Sequence, residues 1–382
     1  MMNLVQLLLA MGVLAGPAPG DLAIQSPDSV PPLEARYSAY VVAESEDLVH
    51  RIQVGPEGAT VENTVVIEEL LMDIDGPHGV ALDPAGRYAY VTTGHGVWNG
   101  NLWKLEVGPD TAVAGPLPLG QFPATVDVDP QGLFAYVANF NLHGDMVPSS
   151  ISVVSLADFV EVARPETCTM PHGSRVSPDG TRHYSVCMMD DQLVEIETRG
   201  FTVHRRFHVG PGAAGPLPAE ATEDAHPHGH GAHHAECSPT WASPSPDGRR
   251  IYVACNAADL VLEIGVEEWD LLRTFETGRG PYNLEVTPDG ATLVITLKQG
   301  DEVEILDLES GESRARLPTS IRVPHGVALT PDNRLALVSV EGIGAQPGRV
   351  DVFDLITLER IHSIDVGLQA AGIALLGMEP LE

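Results

Sequence analysis

Basic residues are scarce in this chain. There are 21 Lys and Arg against 53 Asp and Glu in 382 residues, a formal net charge of −32. Binding to nucleic acid or to an anionic membrane depends on Lys and Arg neutralising phosphate. This surface repels both, and nucleic acid is excluded as a partner. It favours metal ions and cationic protein partners instead. No apolar run long enough to cross a bilayer follows the N-terminus, so no transmembrane segment is expected in the mature chain. Chemical signatures are missing too. There is no Ser-His-Asp spacing, no phosphate-cradling Gly loop, no Cys-x-x-Cys-His haem attachment and no calcium loop. Cysteines number four.

What is present begins with an apolar stretch, Leu4–Leu14, followed by the small, turn-prone run Ala15–Gly20. These read as the h-region and cleavage region of a signal peptide over residues 1–20, although no Lys or Arg precedes Leu4. No Cys follows the stretch, which argues against a lipid anchor. Residues 21–32 read as a linker. A periplasmic or extracellular location follows.

The rest of the chain repeats itself. A Pro-x-Gly corner recurs at Pro84-Ala85-Gly86, Pro130-Gln131-Gly132, Pro178-Asp179-Gly180, Pro246-Asp247-Gly248 and Pro288-Asp289-Gly290, and as Pro331-Asp332-Asn333. Pro presets φ at the first corner position; Gly or Asn tolerates a positive φ at the last. Each corner joins two short alternating runs rich in β-branched and aromatic residues, and two further strands follow. Four strands per unit at a fixed period describe a β-propeller blade. Six corners account for six blades. The N-terminal strands 36–67 lack a first strand, and the C-terminal strand 370–376 lacks a corner. Joined, they make a seventh blade that closes the ring and removes its free edges. The expectation is an all-β, seven-bladed propeller over residues 33–378, a monomer, with one elaborated insertion, residues 210–236, between blades four and five.

At this point the chain resembles the YVTN-type β-propeller repeat proteins of periplasms and cell surfaces. The residues that carry the resemblance are AYVTTG at Ala89–Gly94, AYVANF at Ala135–Phe140, IYVACN at Ile251–Asn256 and the closing HGVALTPDN segment from His325. The resemblance implies the fold. Such propellers include binding proteins, lactonases and metal- or haem-bearing redox enzymes, so it does not select a chemistry.

Candidate chemistry gathers where loops lead into each first strand, at the mouth of the central channel. The residue after the leading Pro, or after Ala370 in blade 1, reads, blade by blade, Ala371, His78, Ala124, His172, Thr240, Tyr282 and His325. Three Pro-His-Gly tripeptides thus aim imidazoles at one mouth, and imidazole suits zinc and copper. Thr240, Trp241 and Tyr282 are the expected ligand contacts beside them. The insertion carries a second imidazole set, His226, His228, His230, His233 and His234, a metal-binding composition. Cys168 with Cys187, and Cys237 with Cys255, have nearly equal spacings. In an exported protein they read first as two disulfides; hairpin counting also sets Cys187 opposite His172, which leaves thiolate ligation open. The leading reading is an exported ligand-binding or scaffold propeller with a copper or zinc site at the mouth and an unidentified small ligand. The alternative is a copper- or zinc-dependent oxidoreductase or hydrolase, lactonase-like included, using the same histidines.

Overall fold

The computed structural model describes residues 32–69, 73–96, 100–220 and 235–381. The expected signal peptide, the expected linker up to residue 31 and the His226–His234 tract lie outside the described residues. The compact unit starts at Leu33.

Seven antiparallel sheets stand around one axis. Their innermost strands are Ala370–Pro380, Pro77–Leu82, Pro123–Val128, Pro171–Val176, Pro239–Pro244, Pro281–Val286 and Pro324–Leu329, for blades 1 to 7. Each touches the next, and the last touches the first. Blade 1 is the composite one. Ala370–Pro380 pairs with Ala35–Ala43, which pairs with Leu48–Gly55, then Gly58–Val66. Two tyrosines fasten it on both sides. Tyr40 donates to Asp110 of blade 2, and Tyr37 donates to Asp332 of blade 7 at 2.6 Å.

The corners behave as their composition requires. Gly86, Gly132, Gly180, Gly248 and Gly290 all have positive φ, as does Asn333 at 59°. Each corner closes on a backbone bond, such as Gly86 N to Asp83 O at 2.9 Å. A second repeated device was not foreseen. Asp47, Asp191, Asp259 and Asp301 adopt left-handed backbone conformations just before third strands. Their carboxylates accept backbone N–H groups of the loop leading into the following blade, as in Asp191 with Cys237 and Ser238 at 3.1 and 2.8 Å. These loops are therefore pinned where the channel opens.

The core is a series of clusters between blades. One packs Tyr184, Val186 and Leu193 of blade 4 against Ala242, Ile251 and Val253 of blade 5. Both cystines are formed, Cys168–Cys187 and Cys237–Cys255, and among the described residues no cysteine is free. Thiolate ligation is therefore excluded. The register is also one residue away from the hairpin count: Cys187 lies opposite Pro171, not His172, because the pairing is irregular between Pro171 and Ser174. The closing strand runs four residues beyond Leu376, to Pro380. The described part of the 210–236 insertion adds a short strand, Gly215–Leu217, to the edge of blade 4.

Candidate site at the channel mouth

The first residues of the innermost strands form two successive rings around the channel. The ring immediately after the prolines carries His78, His172, Tyr282 and His325, all buried. The next ring reads Gly372, Gly79, Thr125, Gly173, Trp241, Asn283 and Gly326. Its glycines are needed for space. A Cβ would lie 2.4 Å from the Ala124 carbonyl at Gly79, 2.5 Å from the Trp241 backbone at Gly173 and 2.6 Å from the His78 carbonyl at Gly372. Hydroxyl groups bind neighbouring blades at this level. Thr92 donates to the Ala124 carbonyl, Thr296 to that of His325 and Ser339 to that of Ala371.

The three imidazoles meet. The His78 ring centroid stands 5.2 Å from His325 and 6.2 Å from His172. His172 Nδ1 donates to the Thr240 carbonyl at 2.9 Å, so in the neutral ring Nε2 carries a lone pair. Tyr282 Oη lies 3.2 Å from that Nε2 and 3.2 Å from His325 Nε2. It has one proton to give. His325 also meets the Ala371 backbone, as His172 meets the Thr240 carbonyl, so Tyr282 shares its one proton between two imidazole Nε2 atoms. Burial pushes His172 down to about 3, helped by His78 and Lys298. Burial, Lys298 and the other two rings hold His325 well below its ordinary value. Both rings are neutral, the state in which imidazole binds a metal.

His78 is held from the other side. Its Nδ1 contacts Glu44 at 2.9 Å, and the second oxygen of Glu44 receives His95 Nε2 at 2.9 Å. Burial opposes the charge on Glu44, but His78 and His95 outweigh it and hold the carboxyl at about 2. The Glu44 bond raises His95. His143 approaches His95 at 3.4 Å from the surface. His78 Nε2 is left buried with no partner.

Beside Tyr282, Lys298 Nζ sits 4.0 Å above the ring and 2.7 Å from Glu341. Burial works against its charge, but Tyr282 and Glu341 more than restore it. Deeper in the channel, Arg175 stands 5.2 Å over the Trp241 ring. Glu285 is half-buried, and desolvation pushes it up to about 7 against the pull of Arg175.

A cavity of about 30 Å³ opens between the rings. It is lined by His78, Trp241, Asn283 and His325, among others. An open cleft of about 410 Å³ flanks blade 3 along Gln121, Asn141 and Arg164, but no buried, unpartnered polar atom lines it among the described residues. The small cavity is the better candidate site. As arranged, no three His, Cys, Asp or Glu side chains among the described residues could hold a metal ion.

The sequence thus found His78, His172, His325, Thr240, Trp241 and Tyr282, and they lie together. It missed Glu44, Lys298, Glu341 and Asn283. Glu44, Lys298 and Glu341 are each the first residue after the second strand, in blades 1, 6 and 7, where blade 2 has Gly94, and that shared repeat position was the available signal.

Two solved structures share the ring. A periplasmic gluconolactonase of Pseudomonas aeruginosa, PpgL, superimposes with a TM-score of 0.68 at 16% identity, over 89% of this chain and 99% of that one. Hydrazine synthase of Kuenenia stuttgartiensis superimposes with a TM-score of 0.61 at 18% identity, over 82% of this chain and 92% of that one. The likeness is one of fold. No family model and no curated protein matches the chain.

Proposed function

We propose that this chain is an exported, monomeric ligand-binding propeller of the YVTN type, with copper or zinc bound at the channel mouth. The observation that carries the metal is the meeting of the Pro-His-Gly imidazoles, with His78 5.2 Å from His325 and 6.2 Å from His172. With metal–nitrogen bonds of about 2.0–2.1 Å, imidazoles on a tetrahedral ion have ring centroids about 5 Å apart. The first pair fits as it stands, and the second is about 1 Å too wide. The His78 Nδ1 contact to Glu44 is the outer partner that a ligand histidine keeps. Export is supported by the Leu4–Leu14 stretch and by the two disulfides. The acidic surface suits a cationic protein partner.

Copper- or zinc-dependent redox or hydrolytic chemistry at the same cluster is the second reading. A cavity of about 30 Å³ holds only one or two waters, so a reactant as large as a sugar lactone has to bind above it. The test is metal content by plasma mass spectrometry on untagged, periplasmically expressed protein. One copper or zinc per chain, lost in the His78→Ala, His325→Ala double variant, is the expected result. Metal removed only by deleting residues 226–234 would assign it to that tract and overturn the proposal.

A further inference from the structure

Arg175 is the one Lys or Arg in the seven innermost strands. It occupies the fifth position of its strand in blade 4, where Asp127 stands in blade 3 and Glu285 in blade 6. A positive charge set into a channel wall is costly unless an anion lies against it. Asp127 and Glu285 feel that charge, but among the described residues neither closes a salt bridge with it. Asp127 spends both oxygens on backbone N–H groups, Val128 at 3.0 Å and Val176 at 2.7 Å. Burial pushes Glu285 up to about 7, so near neutral pH it is only partly charged.

The guanidinium is itself only partly engaged. Nη1 donates to the Ser174 carbonyl at 2.9 Å, while Nε and Nη2 make no hydrogen bond among the described residues. Nε and Nη2 are the pair that grips a carboxylate side-on, through two parallel N–H···O bonds. The guanidinium carbon stands 5.2 Å from the centre of the Trp241 ring. Trp241 is 5% exposed, and its Nε1–H is buried without a partner. A buried donor with no acceptor costs stability unless a ligand or water completes it. Arg175 and Trp241 both line the small cavity, together with Asn283.

Resting on the ligand-binding reading above but not on its metal, we propose that this cavity takes the carboxylate end of a small organic acid, gripped by Arg175 and completed by the Trp241 N–H. Unengaged donors and an uncovered positive charge call for an anion. A volume of about 30 Å³ has room for one or two waters, and the two oxygens of a carboxylate replace them. Phosphate and sulfate bring four oxygens and are too large. The body of the acid then lies towards the mouth, beside His78 and His325, which line the same cavity.

The test uses sodium formate, the smallest carboxylate, on the full-length protein freed of metal by dialysis against a chelator. Protection against heat, relative to chloride at equal ionic strength, gives the Kd. Three heavy atoms limit that Kd to about 1 mM or weaker, so the titration runs to about 100 mM. A saturable, formate-specific rise in melting temperature is expected, and sulfate should not reproduce it. Arg175→Gln is expected to weaken formate by at least about tenfold. Arg175→Lys keeps the charge without the fork and should fall between the two. Trp241→Phe keeps the ring, removes the N–H and should also weaken formate. No formate-specific rise in the wild type, an equal rise with sulfate, or an unchanged Kd in both Arg175 variants would overturn this assignment. A response that appears only after copper or zinc is restored would give the carboxylate to the metal instead, overturning the role of Arg175 and leaving the metal reading standing. Formate bound by a chain that retains no metal under any loading would overturn the metal reading alone.

Discussion

His183 offers the sharpest test of the energetics. It lies in the second strand of blade 4, is fully buried, and stacks on Tyr136 of blade 3 with centroids 4.8 Å apart and planes at 15°. Val176 and Ile196 lie opposite it on the flanking strands. Neither ring nitrogen has a partner. Burial, with a smaller contribution from Arg175, pushes the ring down to about 3. The unfolded chain titrates near 6.5, so between those values it binds a proton that the folded chain refuses. Stability is therefore full above pH 6.5 and falls as pH drops towards 3. The slope is about 1.4 kcal/mol per pH unit, so acidification from pH 7.5 to 5 costs about 2 kcal/mol through this one residue. His183→Phe keeps the stacking surface and removes both unpaired nitrogens. It should stabilise the protein at pH 7.5 by about 1–3 kcal/mol, and by about 2 kcal/mol more at pH 5. Urea unfolding of both proteins at the two pH values measures this double difference. Curves that shift in parallel between the two pH values would show that the ring is solvated or paired, and would refute the reasoning.

Three further outcomes follow from the ring's construction. Replacing Cys168 and Cys187 together by Ser and Ala should cost about 3 kcal/mol, as the bridge spans a sequence separation of 19; the same denaturation midpoint in oxidised and reduced wild type would contradict it. Tyr40→Phe should cost about 1.5–3 kcal/mol by removing one donor from buried Asp110, and Asp110→Ala should cost more, because it also strands Arg51 and Asn63, now 2.9 and 2.8 Å away. Gly79→Ala should lower the melting temperature sharply, since its Cβ would lie 2.4 Å from a backbone carbonyl, whereas Gly215→Ala, with nothing within 4 Å, should leave it unchanged.

The fold was legible because its determinants are local and repeat. A Pro-x-Gly corner needs only the φ preferences of its own residues, and its recurrence gave both blade number and ring closure. The pairing of Cys168 with Cys187 was legible for the same reason, since equal spacing in two blades means equal position. The site was half legible. His78, His172 and His325 are marked by a tripeptide, and repeat position carries them to one mouth. Their division of labour is not local. Which imidazole nitrogen is free depends on Thr240, Tyr282 and Glu44, residues that sit on other blades. Asn283 stands where the Pro-His-Gly tripeptides have glycine, but an alignment position alone does not say what its side chain meets.

Several of the scarce basic residues serve buried carboxylates of the third strands. Glu195 is fully buried and takes both Arg205 at 2.7 Å and Arg182 at 3.1 Å. Glu263, at the same register in the next blade, takes Arg250 and Arg273. Glu304 takes Arg316, and Asp354 takes Arg334. In each case a third-strand carboxylate is buried and arginine covers it from a neighbouring strand. Breaking such a pair strands a buried charge and costs about 3–5 kcal/mol, although the pair itself adds little over an apolar replacement. Each of these arginines is half-buried or more exposed, yet its charge is spent on a carboxylate beneath it. Six of the 21 Lys and Arg are thus spent on four buried carboxylates, and the remainder of the chain keeps its strongly acidic balance.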